Sequence, residues 1–134
     1  MSDTLKGTKV LWVEDDMFLT DILAKRLTNE GAEVVHATNG EDALKLLEKH
    51  APQVILLDIL LSGIDGFEVL KRVKTNDKVK HIPVILLSNL GQKNDIDKGK
   101  ELGAANFMVK ATVTLDEIVQ ELKRVAAMGG SSTA

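Results

Sequence analysis

Four short polar stations interrupt otherwise apolar stretches of this chain: Glu14-Asp15-Asp16, Asp58, Ser88-Asn89 and Lys110. Each ends a run of aliphatic and β-branched residues. Gathered in one place they would supply at least three carboxylates, a hydroxyl and an ammonium. Clustered carboxylates repel each other and need a cation, and all-oxygen ligation favours a hard ion such as Mg²⁺ or Mn²⁺. A divalent ion beside one carboxylate, an ammonium and a hydroxyl is suited to phosphoryl transfer. The positive groups neutralise equatorial oxygens and the hydroxyl donates a hydrogen bond. The carboxylate itself can be the nucleophile, giving an acyl phosphate.

Taken singly, most of these residues have a plainer explanation. An Asp before a helix is most often its cap, and Asp16 fits that role. Ser88 alone is an ordinary strand-end residue, and Lys110 alone an ordinary surface lysine. Asp58 is harder to dismiss. It follows Val54-Ile55-Leu56-Leu57 and precedes Ile59-Leu60-Leu61, where an unpaired carboxylate would cost several kcal/mol.

The elements that must position these groups alternate along the chain. Strand-like runs occur at Lys9–Val13, Glu33–Ala37, Val54–Asp58, Pro83–Ser88 and Ala105–Lys110, each followed by a segment with helical features. The first helix follows Asp16, with Leu19, Ile22, Leu23 and Leu27 on one face and Gly31 ending it. The second opens on the capping-box pattern Thr38-Asn39-Gly40-Glu41 and buries Ala43, Leu44 and Leu47. The third runs from about Gly66, with Phe67, Leu70 and Val73 inward. The fourth, around Lys93–Leu102, has a thin apolar stripe and Gly99 inside it. The fifth opens on a capping box between Thr114 and Glu117 and turns Leu115, Ile118, Val119, Leu122 and Val125 inward.

Five β/α repeats with short links predict an α/β fold, a doubly wound parallel sheet with helices on both faces. Ligands of such sheets bind beyond the carboxyl ends of the strands, which is where all four polar stations fall.

The 134 residues fit one domain, with 44% hydrophobic and 28% charged residues, and the formal net charge is -3. No Lys/Arg stripe is present, so direct nucleic-acid binding by this segment is not expected. There is no Cys, and His36, His50 and His81 show no ligand spacing, which leaves a zinc site without support. The first residues lack the apolar stretch of a signal peptide, and no apolar run is long enough to cross a bilayer, so a cytoplasmic location is expected. Residues 129–134, Gly129-Gly130-Ser131-Ser132-Thr133-Ala134, read as a flexible tail or linker after a domain spanning residues 1–128.

From about Lys9 to Met128 the chain resembles the receiver domains of bacterial two-component systems. Leu11-Trp12-Val13-Glu14-Asp15-Asp16 is similar to that family's first strand and acidic pair. The segment from Ile55 to Gly66, with Asp58 inside it, resembles its phosphoacceptor strand and loop. His81-Ile82-Pro83-Val84-Ile85-Leu86-Leu87-Ser88 resembles its fourth strand with the hydroxyl residue, and Phe107-Met108-Val109-Lys110 its fifth, with an aromatic three residues before the lysine.

The resemblance implies a CheY-like (βα)5 fold of strand order 2-1-3-4-5. It implies a phosphoacceptor signalling domain whose only catalysis is its own phosphorylation and dephosphorylation. Asp58 would accept the phosphoryl group from the phosphohistidine of a histidine kinase or phosphotransfer protein. Asp15, Asp58 and the backbone carbonyl of Leu60 would ligate Mg²⁺, with Glu14 acting through metal-bound water. Lys110 and Ser88 would bind phosphoryl oxygens. Ser88 and Phe107 would form the switch, which reads out to a downstream protein or effector domain through helix four, strand five and helix five.

Three positions depart from the family pattern. Ser62 stands where the loop after the acceptor often has Pro, Asn89 where a small residue usually follows the hydroxyl, and Ala111 where Pro usually follows the lysine. Two other readings compete with the switch. One is a degenerate receiver that docks partners without being phosphorylated. The other is a phosphatase of the haloacid dehalogenase type, whose D-x-D nucleophile motif Glu14-Asp15-Asp16 does not match. No G-x-G-x-x-G or P-loop supports nucleotide binding.

Overall fold

A computed structural model describes the backbone of residues 5–132 and the side chains up to residue 127. Five strands and five helices alternate: β1 (Lys9–Val13), α1 (Met17–Asn29), β2 (Glu33–Ala37), α2 (Gly40–His50), β3 (Val54–Leu57), α3 (Gly66–Lys74), β4 (Val84–Ser88), α4 (Lys93–Glu101), β5 (Asn106–Val109) and α5 (Leu115–Ser132). All neighbouring strands are parallel, in the order β2-β1-β3-β4-β5. The doubly wound sheet expected from the sequence is therefore present.

The three central strands are apolar on both faces because helices cover both. Side chains alternate between the two sides of the sheet, the period-2 geometry of a strand. Leu11, Val13, Ile55, Leu57, Val84 and Leu86 pack with Ala43 and Leu47 of α2 and Phe67, Leu70 and Val73 of α3. Val10, Trp12, Val54, Leu56, Ile85 and Leu87 pack with Leu23 and Leu27 of α1 and Ile118, Val119 and Leu122 of α5. At roughly 1.5–3 kcal/mol per fully buried large apolar side chain, these two layers dominate the stability of the fold.

Local signals set the helix starts. Asp16 caps α1, accepting from Phe18 N at 3.1 Å and Leu19 N at 3.3 Å. Asp65 caps α3 through Glu68 N at 2.9 Å. The capping box of α5 forms in both directions, with Thr114 N donating to Glu117 Oε1 at 2.8 Å and Glu117 N to Thr114 Oγ1 at 3.1 Å.

Some expectations need correcting. Asn39, not Thr38, caps α2: its side chain accepts from Asp42 N at 2.9 Å, a shift of one residue that puts Gly40 first in the helix. Ile22 is exposed instead of sharing the buried face of Leu23 and Leu27, because it lines an open recess with Leu19 of α1 and Leu115 and Ile118 of α5 that no side chain fills. The α5 backbone continues across Gly129 and Gly130 to Ser132, over most of the stretch read as a tail; Thr133 and Ala134 lie outside the described residues. Among the described residues no peptide bond is cis, so Lys110–Ala111 is trans. No helix is long and apolar enough to cross a membrane among those residues.

Candidate functional site

The carboxyl ends of β1, β3 and β5 bring three of the four polar stations together. Asp58 leaves β3 at the rim, its amide donating to Val13 O at 3.0 Å, which extends the β1–β3 pairing one residue past the last strand position. It is only 4% exposed. Its Oδ1 accepts from Leu60 N at 3.3 Å and its Oδ2 from Lys110 Nζ at 3.0 Å. The burial cost of this carboxylate is thus met by a charge partner and a backbone donor.

Glu14 is the more deeply buried acid, at 1% exposure. Its Oε1 accepts from Lys110 Nζ, and its Oε2 accepts from Asp16 N at 3.1 Å. Burial pushes its carboxyl up to about 6, against the opposing pull of Lys110 and with a further push from the Asp58 charge. For Lys110, burial alone would lower the ammonium, but hydrogen bonds to Glu14 and Asp58 outweigh it and hold it above the usual lysine value. Lys110 therefore remains a cation clamped between two acids.

Asp15 is exposed, yet it offers one oxygen to a group with Glu14 and Asp58 in which the three ligand atoms lie within 4.8 Å of one another. Three carboxylates and no thiol or imidazole make a donor set for a hard divalent ion. Of the expected ligands, Glu14 is already engaged by Lys110 and by Asp16 N, while Asp15 has its carboxylate free to face solvent.

Ser88 ends β4 and is fully buried. Its Oγ accepts from Leu90 N at 3.4 Å and its carbonyl from Lys110 N at 2.9 Å. Phe107 is half-buried in β5 and packs on the layer below α3 and α4. Asn89 and Ala111 are exposed at the rim.

Two residues that sequence reasoning passed over bear on the site. A Cβ at Gly66 would stand 2.3 Å from Asp58 O and 2.6 Å from Ile59 Cα, so only glycine lets α3 start against the acceptor backbone. His36, dismissed as a metal ligand, reaches Glu14 O with Nε2 at 2.7 Å. No local motif announces either contact; both depend on the register of neighbouring elements.

This arrangement matches known proteins. Residues 10–123 match the response regulator receiver domain family. The sequence is 42% identical over 101 residues to the transcriptional regulatory protein AfsQ1 of Streptomyces coelicolor, covering 75% of this chain and 44% of that protein. It is 35% identical over 120 residues to the sporulation initiation phosphotransferase F of Bacillus subtilis, covering 90% and 94%. The chain spans less than half the length of AfsQ1 and of several other relatives. The fold superposes on the receiver domain of a signal transduction histidine kinase from Syntrophus aciditrophicus with a TM-score of 0.84 at 28% identity, covering 91% and 92% of the two chains. For the chemotaxis protein CheY4 of Vibrio cholerae the TM-score is 0.82 at 29% identity, covering 88% and 98%. The chain belongs to the response regulator receiver domains, the signalling domains of two-component systems.

Proposed function

We propose that this receiver accepts a phosphoryl group on Asp58 from the phosphohistidine of a histidine kinase or phosphotransfer protein, in a Mg²⁺-dependent reaction. One observation carries the reading: a buried Asp58 carboxylate held by Lys110 beside two further acids at the carboxyl edge of the sheet. In the transfer, an Asp58 carboxylate oxygen attacks phosphorus, the phosphorus–nitrogen bond of the donor breaks, and its electron pair returns to the donor imidazole. Lys110 would move from its bridge between Glu14 and Asp58 to a phosphoryl oxygen, and the Ser88 hydroxyl would donate to another.

Asp15, Asp58 and the Leu60 carbonyl would hold the ion, with Glu14 behind a metal-bound water. When bound, Mg²⁺ supplies the charge that neutralises the phosphoryl oxygens and offsets the repulsion of the acids; Mn²⁺ fits the same donors. Ser88 and Phe107 would carry the switch to a downstream protein or effector domain on the α4–β5–α5 face. On this reading the chain works in the cytoplasm and turns over nothing but its own phosphoryl group. Residues 1–128 make up the switch, and residues 129–134, helical in backbone as far as Ser132, lead out of it as a tail or linker.

Intact-mass analysis after incubation with acetyl phosphate and Mg²⁺ tests the reading. A single phosphoryl adduct is expected, absent from Asp58→Asn and from samples with excess chelator. An adduct that survives either condition overturns it.

A further inference from the structure

Glu14 is held at four points. Its amide donates to Ala37 O at 3.0 Å, the last bond of the β1–β2 ladder. Its carboxylate bonds Lys110 Nζ and Asp16 N. The fourth point is its carbonyl, which accepts from His36 Nε2 at 2.7 Å. A carbonyl can only accept, so the proton sits on Nε2. Thr20 completes the brace: its Oγ1 donates to Asp16 O at 2.9 Å and lies 3.4 Å from the same His36 nitrogen.

The Glu14 carbonyl belongs to the peptide group that joins Glu14 to Asp15. Fixing that peptide plane fixes the direction in which the Asp15 backbone sends its carboxylate. Asp15 needs such help, because it is exposed and no hydrogen bond to its own side chain ties it down, whereas Glu14 and Asp58 are both clamped by Lys110. His36 can reach the carbonyl because it pairs with Trp12 in the sheet, two residues before the acid.

We infer that His36 is a positioning residue that aims Asp15 into the acidic pocket through the Glu14–Asp15 peptide, and so sets the affinity of the site for a divalent cation. The inference rests on the metal reading above and goes beyond it by assigning a role to a β2 residue that neither ligates nor touches the phosphoryl group. Groups that orient metal ligands typically change affinity by about 10–100-fold when removed.

The test compares His36→Leu, His36→Gln and Asp15→Asn by isothermal titration with Mg²⁺ alone, with thermal melts of each variant without metal. His36→Leu is expected to weaken Mg²⁺ binding about 10-fold. His36→Gln, whose amide can donate over a similar reach, should recover most of that loss. With acetyl phosphate, the Mg²⁺ concentration for half-maximal phosphorylation should rise in His36→Leu while the saturating rate returns to that of the parent chain. Unchanged affinity in His36→Leu overturns the inference. So does an equal loss in both His36 variants that tracks a lowered melting temperature, which would mark a merely structural histidine. If Asp15→Asn itself leaves Mg²⁺ binding intact, the metal reading fails and the His36 inference falls with it.

Discussion

Gly99 of α4 lies so close to Phe107 of β5 that a Cβ at position 99 would stand 3.3 Å from Phe107 Cδ2 and 2.7 Å from Leu86 Cδ1. A mid-helix glycine normally costs about 1 kcal/mol relative to alanine. Here it is the means by which α4 seats on the sheet. Leu86 is fully buried and has nowhere to swing. Gly99→Ala should therefore lower stability, since overpacking costs about 1–3 kcal/mol against the propensity gain. Gly66→Ala should be worse, by about 3 kcal/mol or more, because the obstacle is the Asp58 backbone. Urea unfolding of both variants checks the order; a stabilised Gly99→Ala would show that α4 is free to shift.

The same helix is the weakest held of the five. Gly99 is its one buried residue, and Gln92 at its start makes no side-chain cap bond. Elements with so few buried contacts open at low free-energy cost. Hydrogen exchange with and without beryllofluoride, a phosphoryl mimic, should change most between residues 88 and 110. A uniform change, or none, would favour a docking module over a switch.

Mg²⁺ should raise the melting temperature. Three carboxylates face one ammonium at the rim, and like charges this close oppose folding. An ion bound only by the native state at ten times its dissociation constant adds roughly 1.4 kcal/mol, or about 4–6 °C for a domain of this size. Melts at fixed ionic strength measure it. The shift should vanish in Asp15→Ala; an equal shift there would place the ion elsewhere.

An acid-sensitive contribution should come from α5. Arg124, and to a lesser degree Asn106, hold the Glu121 carboxyl below the usual range despite its partial burial. A carboxylate depressed in the folded state adds stability above its unfolded pKa and loses it as pH falls through the folded value. The Arg124 side chain is half exposed, so the effect should stay below about 1 kcal/mol. Glu121→Gln should be less stable than the parent chain at neutral pH, and the gap should close as pH falls below the usual carboxylate range. A gap that persists in acid would point to packing.

Much of this molecule is readable from sequence because its signals are local. The run Val54–Leu57 before Asp58, the caps at Asp16 and Asp65, and the reciprocal box of Thr114 and Glu117 each depend on residues a few positions apart. What escaped reading depends on distant elements. His36 reaches Glu14 O across 22 positions only because β2 pairs with β1 in one register. Ile22 follows the helical period yet is exposed, because periodicity does not say how closely a neighbouring helix packs. Asn39 took the cap of α2 from Thr38, in keeping with the stronger N-cap preference of Asn over Thr, a difference that the Thr38/Glu41 capping-box spacing masks in the sequence.

The aspartyl phosphate should outlast those of fast chemotaxis-type receivers. Hydrolysis needs a water in line with the phosphorus–carboxylate bond, and catalysis of that step is mostly positioning. In the family, the residues two after the acceptor and two after the hydroxyl flank the approach; here they are Leu60 and Leu90. Leu60 is 54% exposed beside the site, with its amide on Asp58 Oδ1. Leu90 is half-buried against the core layer that includes Phe107, with its amide on Ser88 Oγ. Neither side chain can hydrogen-bond a water. Leu60 is the freer of the two to sweep over the acceptor, so it should contribute more to the slow decay. Leu60→Gln should speed loss of the phosphoryl group without altering the Mg²⁺ requirement. Leu90→Gln should do so less and should also cost stability, because it brings an amide to a packed position. Decay of the purified phosphoprotein, followed by mass spectrometry, measures both rates. Loss within seconds from the parent chain, or rates unchanged in both variants, would show that the leucines leave the path of water open.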